Sequence, residues 1–560
     1  GYALGYSNVY RLKEEQFIRE EYRNVYNKYT SSHKTAISYH SIICRLHKEK
    51  MFMQSNLTVE NLEQESLKQV ILYLNPSLTL TQVTNDNKPI PFKREKQAII
   101  IDFPLMPGAK TSLVMEYEGN VDDRICYLDI PDKDYYHPSY SRQAYVPERR
   151  FSFISDNFTL LLPECLWYPV TQPPINITSP YETAMNLCQY NLRVLHTTTN
   201  TIVSQGTKTF SGDTVCFTTT KKLPGLTLCC GPFEQTSAQV NGNWKITSMP
   251  VKGHTIWPYS TEFMATQIFS HVEDYEGIYP AENLFFIEVP ASVVSYFRFW
   301  KNSSELVQPE MVLVQEGTVG WKGQEEYQDP ETTKWYHIDG LLDPYFKRAP
   351  SYKRTNDVMY LITFSSREME YREKHKYCLR SLFRTGHVTP LEFPILNVIM
   401  RNLKKNTECL DQDIIQAQLY LNENHSLKNA LHEKGMDRNV LDAVVYLKGQ
   451  ELANYLHLHS SEEQFELFYQ EFMYSPGYNW EQFKLKIQQY FNIDITDFLH
   501  KWYNSTSLPY FEIKDVHQLR GEGTDEYFTR LKIKNVGHSD GVVSLNATIH
   551  GNRKQNYYYL

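Results

Sequence analysis

Four stretches of this 560-residue chain hold side chains whose types and spacing could do chemistry. The first is Arg438 to Leu456, RNVLDAVVYLKGQELANYL, where apolar residues recur at helical spacing. Tyr446, Gly449 and Ala453 stand three and four apart and so share one face of that helix. A glycine inside a helix costs about 1 kcal/mol against alanine. Its place beside a phenol suggests the floor of a cleft that another element, or a ligand, approaches closely; the plain alternative is a tyrosine on a tightly packed core helix. The second stretch is His457-x-His459, at the end of the same helix. Residues two apart on a helix point to different sides, so a shared metal ion would need extended chain there, and surface imidazoles at a helix end are the simpler reading. The third is REMEYREKH, with Glu370, Glu373 and His375, whose alternating charges read as a solvated face. The fourth, His432-Glu433, opens HEKGM, with methionine where a second zinc-binding histidine would stand.

None of the eighteen histidines has another four residues away. There is no G-x-S-x-G nucleophile elbow and no G-x-x-x-x-G-K-[ST] phosphate loop. The acidic pairs Asp122-Asp123 and Glu325-Glu326 sit in loop-like text, and nothing marks them as an acid and its base.

Composition sets the frame for those side chains. A chain of this length holds several domains. With 41% hydrophobic and 22% charged residues it folds rather than staying disordered. The net charge of −8, with no basic stripe interleaved with aromatics, argues against nucleic acid as a partner. No run of about eighteen apolar residues is present to cross a membrane. The nine cysteines are scattered and include no C-x-x-C, so neither a zinc ribbon nor a disulfide scaffold is implied. Cys229-Cys230, in the apolar run LTLCCG, reads as core. The absence of an initiator methionine and the abrupt close at Tyr557-Tyr558-Tyr559-Leu560 suggest an excised piece of something larger.

The elements that must position these residues come in a clear order. Arg11 to Tyr29 is a charged helix, either a connector from an upstream membrane segment or an amphipathic helix docked on the next domain. From about Thr35 the period becomes alternating. Strand-like runs at Ala36–Leu46, Gln69–Leu74, Ala98–Phe103, Thr111–Tyr117, Asn191–His196, Thr214–Thr219 and Leu226–Cys230 predict one large antiparallel sheet domain. Turns are expected at Asn85-Asp86-Asn87 and Met106-Pro107-Gly108. Thr261 to Gly277 reads as helix, YPAENLFFIEVP and QPEMVLVQE as strands, and Gly317 to Lys353 as an inserted loop. Helices dominate from Asn356 to Tyr503, and strands return at Tyr527–Lys532 and Gly541–Ile549.

This order resembles the aminopeptidase N family of gluzincin metallopeptidases. The resemblance is carried by YEGIYPAENLFFIEVP at 275–290, QPEMVLVQE at 308–316, VVYLKGQELANYL at 444–456 and DITDFLHKWYNSTSLPYF at 494–511. It implies an α+β multidomain fold: a helical connector over 1–34, an antiparallel β saddle over 35–240, a thermolysin-like domain over 241–510 that is mixed α/β and then helical, and the start of a β-sandwich over 511–560. In that family a Y-x-K-G element supplies a tyrosine that hydrogen-bonds the tetrahedral intermediate, and Tyr446, Lys448 and Gly449 match it. The phrases LMPGAKTSLVMEYEG at 105–119 and CYLDI at 126–130 look closer to the extracytoplasmic peptidase-like domains of bacterial ABC-transporter permeases.

The family's chemistry needs zinc on an H-E-x-x-H helix, with a glutamate from the next helix. Aligning HVTP at 387–390 with the family's text puts the motif near Lys376-Tyr377-Cys378-Leu379-Arg380, and the third ligand near Val398-Ile399-Met400. Lysine and arginine repel a divalent ion. The G-x-M-E-N element that grips the substrate amine is missing as well. The expectation is therefore an inactive aminopeptidase-like module with no metal and no cofactor. Tyr446, Tyr377 and Arg380 would line its cleft. Its expected partners are transporter subunits and a peptide-like ligand, on the periplasmic side of a bacterial membrane, held there through segments outside this chain. The alternative is an active metal-dependent aminopeptidase with a non-standard site.

Overall fold

The computed structural model describes residues 2–29, 35–135, 149–177, 186–195, 200–241, 244–254, 256, 260–262, 265, 282–296, 305–316, 393, 395–396, 399–400, 403, 411–433, 436–474, 480–520, 527–549 and 552–560. The chain divides into two compact units, residues 1–180 with 185–387, and residues 181–184 with 388–560.

The first unit is built on an eight-stranded sheet. Its long central strands are β1 (Thr35–His47), β2 (Lys50–Asn61) and β8 (Lys110–Gly119). In β2 the residues Met51, Met53, Ser55, Leu57 and Val59 alternate inward, so a single face carries the core. Pairing is antiparallel except where β1 lies parallel to β11 (Gln189–Leu195), matching Tyr39 with Gln189 through Arg45 with Leu195. The expected single antiparallel sheet is thus corrected on two counts. It contains this parallel pair, and its other strands fall into separate sheets of three, in the order β3 (Val70–Tyr73), β7 (Ala98–Ile101), β6 (Phe92–Glu95), and of four, in the order β12 (Thr201–Val203), β15 (Leu228–Gly231), β10 (Thr159–Leu161), β9 (Phe153–Ile154). Both expected turns form. Asp86 and Asn87 are left-handed, at φ 49° and 61°, and close a two-residue hairpin between β4 (Thr79–Asn85) and β5 (Lys88–Pro89). Gly108, at φ 66° after Pro107, lets the Ala109 N–H reach the Met106 carbonyl at 3.0 Å. Cys229 and Cys230 lie buried in β15 (Leu228–Gly231).

Helix α1 (Tyr2–Tyr29) is docked on this unit by its arginines. Arg19 is fully buried and donates to the carbonyls of Arg124, Cys126 and Tyr127 at 3.1, 2.8 and 2.8 Å. Its guanidinium carbon sits 3.5 Å from the Tyr135 ring centroid. One turn on, Arg23 donates to the Leu128 and Ile130 carbonyls and pairs with Asp132. The CYLDI phrase is therefore a row of carbonyls that cradles two guanidinium groups. Tyr22 closes the joint by donating to Asp122 at 2.6 Å, and Arg124 holds that carboxylate from the other side.

A five-stranded sheet completes the first unit. Strands β17 (Trp244–Met249), β18 (Asn283–Val289) and β20 (Met311–Gln315) run parallel, flanked by antiparallel β16 (Thr236–Asn241) and β19 (Val307–Gln308). Every residue of β20 is buried, as expected of a strand covered on both faces.

The second unit is helical, with α3 (Asp411–Asn422), α4 (Leu427–His432), α5 (Arg438–Leu458), α6 (Glu462–Tyr474), α7 (Trp480–Phe491) and α8 (Thr496–Asn504) among its described residues. Two hairpins follow: β21 (Phe511–Arg520) with β22 (Tyr527–Asn535), and β23 (Val542–Ile549) with β24 (Asn552–Tyr559). The expected helix at Thr261–Gly277 and the loop at Gly317–Lys353 fall largely or wholly outside the described residues.

Candidate functional site

Helix α5 carries the side chains that sequence singled out. Asp437 caps its start by accepting the Asn439 N–H at 2.8 Å, which satisfies one of the free donors of the first turn. Ala443, Val444, Leu452 and Leu456 are buried along its inner face. Tyr446 is half-buried, and among the described residues its hydroxyl has no hydrogen-bond partner. The phenol is thus free to donate to, or accept from, whatever approaches the helix.

Lys448 was named from the sequence only as part of the Y-x-K-G match. It is 1% exposed, and its ammonium meets Glu451 at 2.9 Å, one turn further along. Its backbone carbonyl accepts the indole N–H of Trp502 at 2.8 Å, tying α8 to α5. Such a lysine braces the helix and is not available to a ligand. The i, i+3 spacing of Lys448 and Glu451 was visible in the sequence; the depth of burial was not.

Gly449 was expected to leave room for a close approach. A methyl group built there would lie 3.5 Å from Ile399 Cγ2, an ordinary contact. Among the described residues no neighbouring element forces the glycine. The neighbour is informative in its own right. Ile399 and Met400 fall in the run expected to hold the third metal ligand, and both are buried. Neither offers a side-chain donor able to hold zinc.

The two imidazoles at the end of α5 go separate ways. His457 stacks on Phe465 at 3.9 Å and on Tyr557 at 5.2 Å. His459 lies past the last turn, edge-on to Tyr455 at 4.8 Å, where burial pushes its pKa down. At the HEKGM phrase, the His432 ring turns back onto the Lys428 carbonyl at 2.7 Å, while Glu433 accepts from Tyr420. Among the described residues no three His, Cys, Asp or Glu side chains converge as a metal site. Tyr377 and Arg380, with Glu370, Glu373 and His375, lie outside the described residues. The positions that the resemblance assigns to the two histidine ligands thus lie outside the described residues, and of the run assigned to the third ligand Ile399 and Met400 are described.

No family model and no curated protein matches the sequence. Solved structures do. Aminopeptidase A of Legionella pneumophila, in complex with aspartic acid, is 13% identical with a TM-score of 0.51, over 94% of this chain and 56% of that one. The M1 zinc metallopeptidase of Deinococcus radiodurans is 13% identical with a TM-score of 0.48, over 85% of this chain and 95% of that one. A mutant of the same Deinococcus enzyme gives 13% and 0.49, over 85% and 96%. The fold is that of an aminopeptidase: α+β, multidomain, with several sheets followed by a helical region. At this identity the likeness speaks of fold alone.

Proposed function

We propose that this chain is a catalytically silent aminopeptidase-like module that binds a peptide-like ligand or a protein partner. One observation carries the reading. The run that the resemblance assigns to the third zinc ligand is filled by Ile399 and Met400, buried beside the glycine of the Y-x-K-G helix. The sequence supports it independently, since no two histidines stand four residues apart as the family's zinc helix requires. A peptide can still be held by backbone pairing along a sheet edge, which needs no metal. The hydroxyl of Tyr446, without a partner among the described residues, would supply one side-chain hydrogen bond, with Tyr377 and Arg380 as further lining residues.

The proposed setting is a bacterial transporter permease, with the module on the periplasmic face and membrane segments lying outside this chain. Two features support it: the phrases at 105–119 and 126–130, and the use of the second as the seat of α1 through Arg19 and Arg23. The test is metal analysis of the purified chain together with cleavage of a fluorogenic aminoacyl substrate. Neither stoichiometric metal nor turnover is expected. Metal at one equivalent with turnover would replace this reading by an active peptidase with a non-standard site.

A further inference from the structure

A cavity of about 310 Å³ lies in the first unit, against one face of the five-stranded sheet. Lys245 and Met249 of β17, with Asn283 and Phe285 of β18, face it at alternate positions, as residues on one side of a sheet must. The opposite wall comes from β12 (Thr201–Val203), β13 (Thr207–Ser211) and β14 (Thr214–Thr218). Its floor is apolar, formed by Ile202, Phe217, Leu223 and Phe285.

Three lysines surround that floor, and none forms a salt bridge among the described residues. Lys208 turns its ammonium inward, donating to the Ile202 carbonyl at 2.9 Å and standing 5.9 Å from the Phe217 ring centroid. Two of its three N–H donors remain for a ligand. The residue as a whole is exposed, and the partial burial of its ammonium lowers its pKa. Lys221 and Lys245 are exposed at the rim. Glu282 and Glu310 also line the cavity, but Glu310 is committed to the Gly206 N–H at 2.8 Å, and burial raises its pKa.

The wall here is held in uncommon backbone. Gly206 has φ +89°, and a Cβ on it would lie 2.5 Å from the Thr218 carbonyl oxygen. Its hydrogen-bond partner Glu310 is left-handed too, at φ 62°, a conformation costly for a residue with a side chain. Strain of this kind persists where the surroundings fix it, and ligand clamps are among such places.

We propose that this cavity is a binding site for a small organic anion, a carboxylate on an apolar body. Its head would lie among Lys208, Lys221 and Lys245, and its body on Phe217 and Phe285. An amine is disfavoured, because three lysines line the space against two carboxylates, of which Glu310 is already engaged by the Gly206 N–H. The site stands whether or not the chain cleaves peptides.

Isothermal titration of the full chain with 3-phenylpropionate tests it, using 3-phenylpropanol and 3-phenylpropylamine as neutral and cationic comparators. One-site binding is expected for the carboxylate, with each comparator at least about tenfold weaker, the worth of one charge-assisted hydrogen bond. Lys221→Gln and Lys245→Gln, both at exposed positions, should each weaken the carboxylate several-fold and leave the thermal midpoint unchanged. Three results would overturn the proposal: no saturable binding of 3-phenylpropionate up to about 10 mM, equal affinity for the alcohol, or unchanged affinity in the doubly substituted chain.

Discussion

Replacing Arg19 by methionine removes the side chain that fastens α1 to the sheet domain. Three carbonyls, those of Arg124, Cys126 and Tyr127, lose a charged donor at once. A buried acceptor left without a partner costs about 1–3 kcal/mol. Loss of the guanidinium from the Tyr135 face adds on the order of 2 kcal/mol for a desolvated contact. Against this, methionine has no charge to bury, which returns several kcal/mol. The balance is a loss of about 2–4 kcal/mol, concentrated in α1 because every lost partner lies at its seat. Hydrogen exchange read by mass spectrometry should show α1 amides opening at least about thirtyfold more often, with β2 and β8 protected as before. Arg19→Lys keeps the charge but not the fork, so it should fall between. Unchanged α1 protection in the methionine variant would refute the claim that these hydrogen bonds hold the helix down.

Three further outcomes follow from the same geometry. Gly449→Ala should stabilise the chain by about 0.5–1 kcal/mol, since helix propensity is gained and the new methyl meets Ile399 at an ordinary distance; a lower urea midpoint would show that the position is tighter than this. His40 is fully buried beside Tyr168 and Tyr190, and burial pushes its pKa down to about 3. The unfolded imidazole takes a proton near pH 6.5 that the folded one refuses. Stability should therefore drop as pH falls from about 6.5 towards 3, by up to about 4–5 kcal/mol. In His40→Phe that part of the slope should vanish, and parallel slopes for the two proteins would contradict the assignment. Tyr446→Phe should leave the thermal midpoint within about 1 °C, because among the described residues the hydroxyl has no partner to lose, yet it should weaken any peptide that binds at α5.

What the sequence revealed and what it hid follow from the range of the interactions involved. The strand at Ala36–Leu46 and the turn at Asp86-Asn87 could be read because alternation and turn chemistry are local. The helix through Tyr446 was equally plain, its apolar spacing running almost to the observed ends. Strand β2 hid behind its own composition, since Ser55 interrupts the inward-facing Met51, Met53, Leu57 and Val59. Only the structure shows that Ser55 is satisfied by the Tyr117 hydroxyl at 3.0 Å. The parallel match of β1 with β11 joins residues about 150 positions apart, and no local pattern announces it. Gly449 is a similar case: a helical glycine can mark a close approach, and its described neighbour, Ile399, lies some fifty residues away in the chain. Lys208, Lys221 and Lys245 look like ordinary surface lysines until three sheets bring them around one space.

On the proposed reading, the metal-binding positions of the aminopeptidase-like scaffold are occupied by other side chains. Elemental analysis of the purified chain, after incubation with equimolar zinc and removal of excess by gel filtration, tests it most directly. The account predicts well under one zinc per chain. One zinc retained per chain, and lost on substitution of a histidine, would contradict it.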